Sequence, residues 1–144
     1  MQSVLIVDDE PDILSSLQTI LEQHLPGTTI HAAPSGPEAL DLLRREKVDV
    51  IVTDYKMPGM NGLQFLDAAA RAAPGVPCIL ITAFPDLEVA LKAINEAGVE
   101  HFVTKPFRAE EVVEQVRAAL LKRKVDRLML DSFAKNIQRT TNVG

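Results

Sequence analysis

Val48-Asp49-Val50-Ile51-Val52-Thr53-Asp54 is apolar at nearly every position before it stops at a carboxylate. A strand with one wet face alternates apolar and polar residues, whereas a strand covered by helices on both faces is apolar almost throughout. The stretch is too short for a buried helix, and Val and Ile favour extended backbone. It predicts an inner strand of a parallel sheet. Three further runs repeat the pattern: Val4-Leu5-Ile6-Val7 ends in Asp8-Asp9, Cys78-Ile79-Leu80-Ile81 ends in Thr82, and Phe102-Val103-Thr104 ends in Lys105. A weaker, more polar run from Thr28 to Ala32 suits an edge strand.

Helical patterns fill the intervals, and that alternation argues for βα units. Pro11 opens the first helix, with Ile13, Leu17, Ile20, Leu21 and His24 on one face until Pro26-Gly27 stops it. Ser35-Gly36-Pro37-Glu38 has capping-box spacing and starts a second helix that buries Ala39, Leu40 and Leu43. Asn61 caps a third, which runs to Ala73. Asp86 caps a fourth, with Val89, Ala90, Ala93, Ile94 and Ala97 inward and Gly98 at its end. The last begins after Pro106, with Glu110 and Glu111 in its first turn and Val112, Val113, Val116, Ala119 and Leu120 inward. Its pattern continues through Leu121, Val125, Leu128, Met129, Phe133 and Ile137 to about Asn136, where a closed domain has no need of it. Disorder is expected after Thr140.

At 144 residues, 47% hydrophobic and 24% charged, the chain suits one soluble domain with an appendage. No apolar stretch approaches the ~20 residues of a membrane helix, and Met1-Gln2-Ser3 leads straight into a strand with no export signal. No membrane partner is expected, and a cytoplasmic location follows. Cys78 is the only cysteine, which excludes an internal disulfide, and its apolar run makes it a buried thiol. The net charge of −5 divides into +4 on residues 122–144 and −9 on the rest, so the body is a poor nucleic-acid surface and no direct nucleic-acid partner is expected.

If the first and third strands are neighbours, as right-handed crossovers and a topological switch point require, Asp8, Asp9 and Asp54 share one sheet edge. Three carboxylates repel unless a cation lies among them, and an all-oxygen set suits Mg²⁺ rather than zinc. A carboxylate can also attack phosphorus, Lys105 can neutralise phosphoryl oxygens, and Thr82 can offer them a hydroxyl.

Val7-Asp8-Asp9-Glu10, Asp54-Tyr55-Lys56-Met57-Pro58-Gly59-Met60-Asn61-Gly62, Ile81-Thr82-Ala83 and Lys105-Pro106-Phe107 occur in the order and spacing of one family. Over about Ser3 to Lys122 the chain resembles the receiver domain of bacterial two-component response regulators. The resemblance implies a flavodoxin-like, doubly wound α/β fold: a five-stranded parallel sheet in order 2-1-3-4-5 with five helices, the last one extended. It implies a receiver over residues 1–121 and a helical linker over 122–144 with a disordered end. Asp54 becomes the phosphoacceptor, Asp9 and Asp54 direct Mg²⁺ ligands, Asp8 a ligand through water, and Lys56 a ligand through its backbone carbonyl. Thr82 becomes the switch hydroxyl, Lys105 the phosphate-pairing lysine and Phe102 the aromatic switch, with a cis bond between Lys105 and Pro106. Asn61, Phe102 and Arg108 depart from the family's usual residues without touching the phosphorylation set.

The function so implied is a phosphorylation-dependent switch. It takes a phosphoryl group from a sensor histidine kinase and catalyses nothing beyond its own aspartyl phosphorylation and dephosphorylation. Output is expected through the face of the fourth helix, fifth strand and last helix, toward an output domain or downstream protein, with a homodimer through the C-terminal helix as a further partner. Alternatives are a single-domain phosphorelay intermediate, a receiver fragment of a regulator with an enzymatic output, a docking scaffold, or a haloacid-dehalogenase-type phosphatase. The last uses Asp-x-Asp after its first strand, unlike the adjacent Asp8-Asp9.

Overall fold

A computed structural model describes residues 1–83 and 99–142. In chain order the elements are β1 (Ser3–Val7), α1 (Pro11–His24), β2 (Thr29–Ala33), α2 (Gly36–Arg45), β3 (Val50–Asp54), α3 (Gly62–Ala72), β4 (Cys78–Thr82), β5 (Val99–Thr104) and α4 (Ala109–Asn142). The helix expected from Asp86 lies outside the described residues. All strand pairs are parallel, and the sheet order is β2-β1-β3-β4-β5. Winding reverses between β1 and β3, so a crevice opens at their C-terminal ends.

The unbroken apolar runs are explained by two cores. Leu5, Val7, Ile51 and Leu80 pack on one face with Ala39, Leu43, Phe65, Leu66 and Ala69 of α2 and α3. Val4, Ile6, Val50, Val52, Ile79 and Ile81 pack on the other with Leu17 and Leu21 of α1 and Val112, Val113 and Val116 of α4. Successive side chains of β1, β3 and β4 thus find a dry face each time, and all residues of these strands are buried.

The helix starts follow their caps. Ser35 Oγ accepts from Glu38 N, and Asn61 and Gln64 form a full capping box at α3. Strand bounds shift by a residue or two from the sequence reading, and three further details depart from it. His24 is exposed rather than inward, and its Nδ1 lies 2.9 Å from Ile20 O. Strand β5 begins at Val99, where the polar pair Glu100-His101 had masked the extended backbone. Helix α4 runs on to Asn142, passing Lys122 without a break. Among the described residues no helix is long and apolar enough to cross a membrane.

Candidate functional site

The sheet register sets the site. Val7 lies beside Thr53, Asp54 beside Ile81, and Thr82 beside Thr104. Asp8 therefore leaves the end of β1 next to the last residue of β3, and Thr82 closes β4 one step away. Lys105 N donates to Thr82 O at 2.8 Å, which ties the start of the β5–α4 loop to the end of β4. The Lys105–Pro106 bond is cis.

Asp8, Asp9 and Asp54 each present a carboxylate oxygen within 4.8 Å of the others. Asp8 and Asp54 are buried, at 1% and 4% exposure, while Asp9 is half-buried at the mouth. Lys105 Nζ is 3.2 Å from Asp54 Oδ1 and 4.0 Å from Asp8 Oδ2. Asp8 Oδ1 accepts from Glu10 N, but the buried Oδ2 has no hydrogen-bond partner. Burial pushes the Asp8 carboxyl up to about 6, and the Asp54 carboxylate adds to the rise against the Glu10 N–H and Lys105. Asp54 is also raised, first by burial and then by Asp9, with Lys105 opposing.

Among the described residues Lys105 thus meets two of the three clustered carboxylates, and a buried acceptor is left unsatisfied. An oxygen-only cluster with an orphaned oxygen is what a hard divalent cation would complete, so the donor set fits such an ion. The three acids, Lys105 and Thr82 share one edge, as the strand-end pattern predicted. Phe102 lies half-buried on β5 against the α2–α3 side core, and Lys56 is exposed two residues beyond Asp54.

Two contributors were not anticipated. Gly62 N donates to Tyr55 O at 2.7 Å, so the start of α3 lies directly behind the acidic strand end. A β-carbon at Gly62 would collide with Asp54 O and stand 2.9 Å from Tyr55 Cα. Asn-Gly after a turn carries only a faint signal for that constraint. At the opposite edge Asp49, 1% exposed, accepts from Ser3 N at 2.9 Å through Oδ2. Its Oδ1 is 3.0 Å from Arg127 Nη1, an ion pair whose alignment falls short of a hydrogen bond. A charge inside an apolar run was the available hint.

The family model of the response regulator receiver domain matches residues 4–117. The chain belongs to that family. Receiver domains are signalling domains of two-component systems rather than enzymes in the ordinary sense, and the sheet order here is that of the CheY-like fold. The receiver is 35% identical over 123 residues to the C4-dicarboxylate transport transcriptional regulatory protein DctD of Rhizobium meliloti, covering 85% of this chain and 26% of DctD. It is similar to the signal receiver domain of an HD domain-containing protein from Pseudomonas fluorescens Pf-5 (33% identity, TM-score 0.80, 88% of this chain and 91% of that one). It also resembles the structure of an adenylate cyclase from Rhodopirellula baltica (27% identity, TM-score 0.85, 93% and 98% coverage). The chain spans about a quarter to a half of the length of the curated relatives it matches.

Proposed function

We propose that this receiver is a phosphorylation-dependent switch with Asp54 as the phosphoacceptor. The observation that carries the assignment is the buried Asp54 carboxylate, 3.2 Å from Lys105 and grouped with Asp8 and Asp9. A divalent cation, Mg²⁺ by its preference for hard oxygen ligands, would be held by Asp9 and Asp54 directly, Asp8 through water and the Lys56 carbonyl. When bound, it supplies neutralisation of carboxylate and phosphoryl charge.

Asp54 attacks the phosphorus of a phosphohistidine presented by a sensor histidine kinase. The new oxygen–phosphorus bond of an acyl phosphate forms as the phosphorus–nitrogen bond breaks, and the imidazole leaves with the electron pair. Lys105 holds Asp54 in place and pairs with the transferred oxygens, and Thr82 offers its hydroxyl to one of them. The phosphoryl group adds negative charge and three strong acceptors, so a conformation that brings Thr82 and Lys105 to it gains on the one that does not. Phe102 takes up the space Thr82 vacates. The receiver itself catalyses only its own aspartyl phosphorylation and dephosphorylation.

Residues 1–121 act as the receiver and 122–144 as its linker, which is helical as far as Asn142. Output passes through the face of β5, α4 and the segment of the expected fourth helix, to a downstream protein or an output domain. The apolar outer side of α4 is a self-association face. An enzymatic output is the second reading, favoured by likeness to receivers whose proteins carry an HD domain or a cyclase name. The chain acts in the cytoplasm, where its kinase partner presents phosphohistidine.

Incubation with acetyl phosphate and Mg²⁺ should label the protein once per chain, in an acid-labile bond. Asp54→Asn should abolish the label. Label persisting in Asp54→Asn would remove the assignment, and many turnovers on a small phosphate ester would make the protein a phosphatase instead.

A further inference from the structure

Helix α4 wears its polarity inside out from Leu121 to Met129, while exposed Leu130 and Ile137 fall farther along its inner row. At roughly 100° per residue, the row of buried Val112, Val116, Ala119 and Leu120 continues into Arg123 and Arg127. These two cations face the body: Arg123 Nη1 donates to Gly75 O at 3.0 Å, and Arg127 pairs with buried Asp49. The opposite side of the helix carries Leu121, Val125, Leu128 and Met129, which are 43–66% exposed, with Phe133 on its flank. An extension built for water would put its cations outward and its leucines inward. Apolar patches of this extent on a monomer mark an interaction surface.

The charges on that outer face tell which partner fits. Before the apolar stretch lie exposed Glu110 and Glu114, with Arg117 at the face's edge donating to His24 O, and after it exposed Lys135 and Arg139. We infer that two copies of this chain pair through the outer face of α4 in antiparallel orientation. This rests on α4 being a self-association face, as proposed above. With the two-fold axis between Lys124 and Val125, Leu121 of each copy meets Leu128 of the other, Glu114 meets Lys135, and Glu110 meets Arg139. Parallel, in-register pairing would set Glu110 against Glu110 and Lys135 against Lys135, which repel. The bodies argue the same way. Residues 1–121 carry −9, and the described part of the body before α4 sits on the inner side of that helix, so antiparallel pairing holds the two bodies at opposite ends and on opposite sides. The overlap from Glu110 to Arg139 runs about eight helical turns, and its contact is on the order of the ~800 Å² per partner of a stable interface.

Sedimentation of the full chain at micromolar concentration should give a dimer. Leu128→Lys, folded by circular dichroism, should give a monomer. Glu114→Lys or Lys135→Glu alone should weaken the dimer roughly tenfold (~1.4 kcal/mol), and the double exchange should restore it. In a Cys78→Ala background, a mixture of Leu121→Cys and Leu128→Cys chains should form the unlike disulfide in preference to either like one. Like cross-links alone, or no rescue by the double exchange, would overturn the antiparallel arrangement and leave self-association standing. A wild-type monomer, or a dimer indifferent to Leu128→Lys, would overturn both and leave the outer face to a different partner. None of these results touches the assignment of Asp54, which the labelling experiment tests separately.

Discussion

Replacing Asp8 with Asn should stabilise the metal-free protein, although it removes a buried functional carboxylate. Asp8 is 1% exposed, its Oδ2 is unpartnered and the nearest cation to that oxygen is 4.0 Å away. Its carboxyl titrates at about 6 instead of the ordinary 3.8. Between those values the native state holds a proton that the unfolded state has lost, so native stability falls as pH rises through the window and levels off above about 6. At 1.36 kcal/mol per pKa unit, the full gap costs about 3 kcal/mol at neutral pH. Asparagine keeps an acceptor for Glu10 N and carries no charge, while Lys105 keeps Asp54 at 3.2 Å. In chelator, urea unfolding near pH 8 should therefore find Asp8→Asn more stable by about 2–3 kcal/mol, with the advantage gone near pH 4. Excess Mg²⁺ should reverse the order, since saturation a hundredfold above Kd adds about 2.7 kcal/mol to the chain that binds it. An Asp8→Asn protein no more stable than wild type near pH 8 in chelator, or equally advantaged near pH 4, would refute the claim that the buried charge is uncompensated.

Three other outcomes follow from named contacts. Gly62→Ala should cost about 1–3 kcal/mol, because the added carbon overlaps the backbone of Asp54 and Tyr55, and it should slow labelling by acetyl phosphate; an unchanged unfolding curve would show that the close approach relaxes freely. Asp49→Ala should lower stability by about 2–4 kcal/mol, since Ser3 N loses its buried acceptor and Arg127 its partner, a loss read from urea unfolding. Cys78 is buried and its thiol is pushed up to about 12, so thiol reagents near pH 8 should modify it only as fast as the protein unfolds; rapid native-state reaction would show that the thiol is accessible.

The acidic site was legible in the sequence because its residues terminate apolar runs, and a parallel sheet brings such termini to one edge whatever lies between them. Asp8, Asp54, Thr82 and Lys105 needed only strand order to meet. What the sequence hid was of another kind. Gly62 matters through the space behind it, and nothing local to Asn61-Gly62 says that a strand end will lie there. Asp49 reads as a blemish in an apolar run until Arg127, far along the chain, is seen beside it. The start of β5 was obscured by Glu100 and His101, since an edge strand tolerates polar residues that an inner strand does not. His24 followed the helical period yet faces water, and Leu25 just after it takes the buried place beside Leu17 and Leu21.

Both ends of the sheet are wired to the same helix. At the acidic edge only residues 106–108 separate Lys105 from the first turn of α4, and Lys105 N is bonded to Thr82 O. At the opposite edge Arg123 and Arg127 hold α4 to Gly75 O and Asp49, and Lys122 Nζ is 2.7 Å from Glu100 of β5. Between these ties Val112, Val113 and Val116 anchor the helix in the core. Apolar packing resists withdrawal of the helix but allows small rotation about its own axis, whereas the ion pairs fix that rotation. A shift of Lys105 toward a new charge on Asp54 must then be absorbed by the short loop or passed into α4 as a twist against the basal ion pairs. Because the outer residues Leu121 to Phe133 lie on the same rod, such a twist would re-aim them, so the proposed phosphorylation at one end of the sheet would act on the proposed pairing of copies through the contact of Asp49 with Arg127.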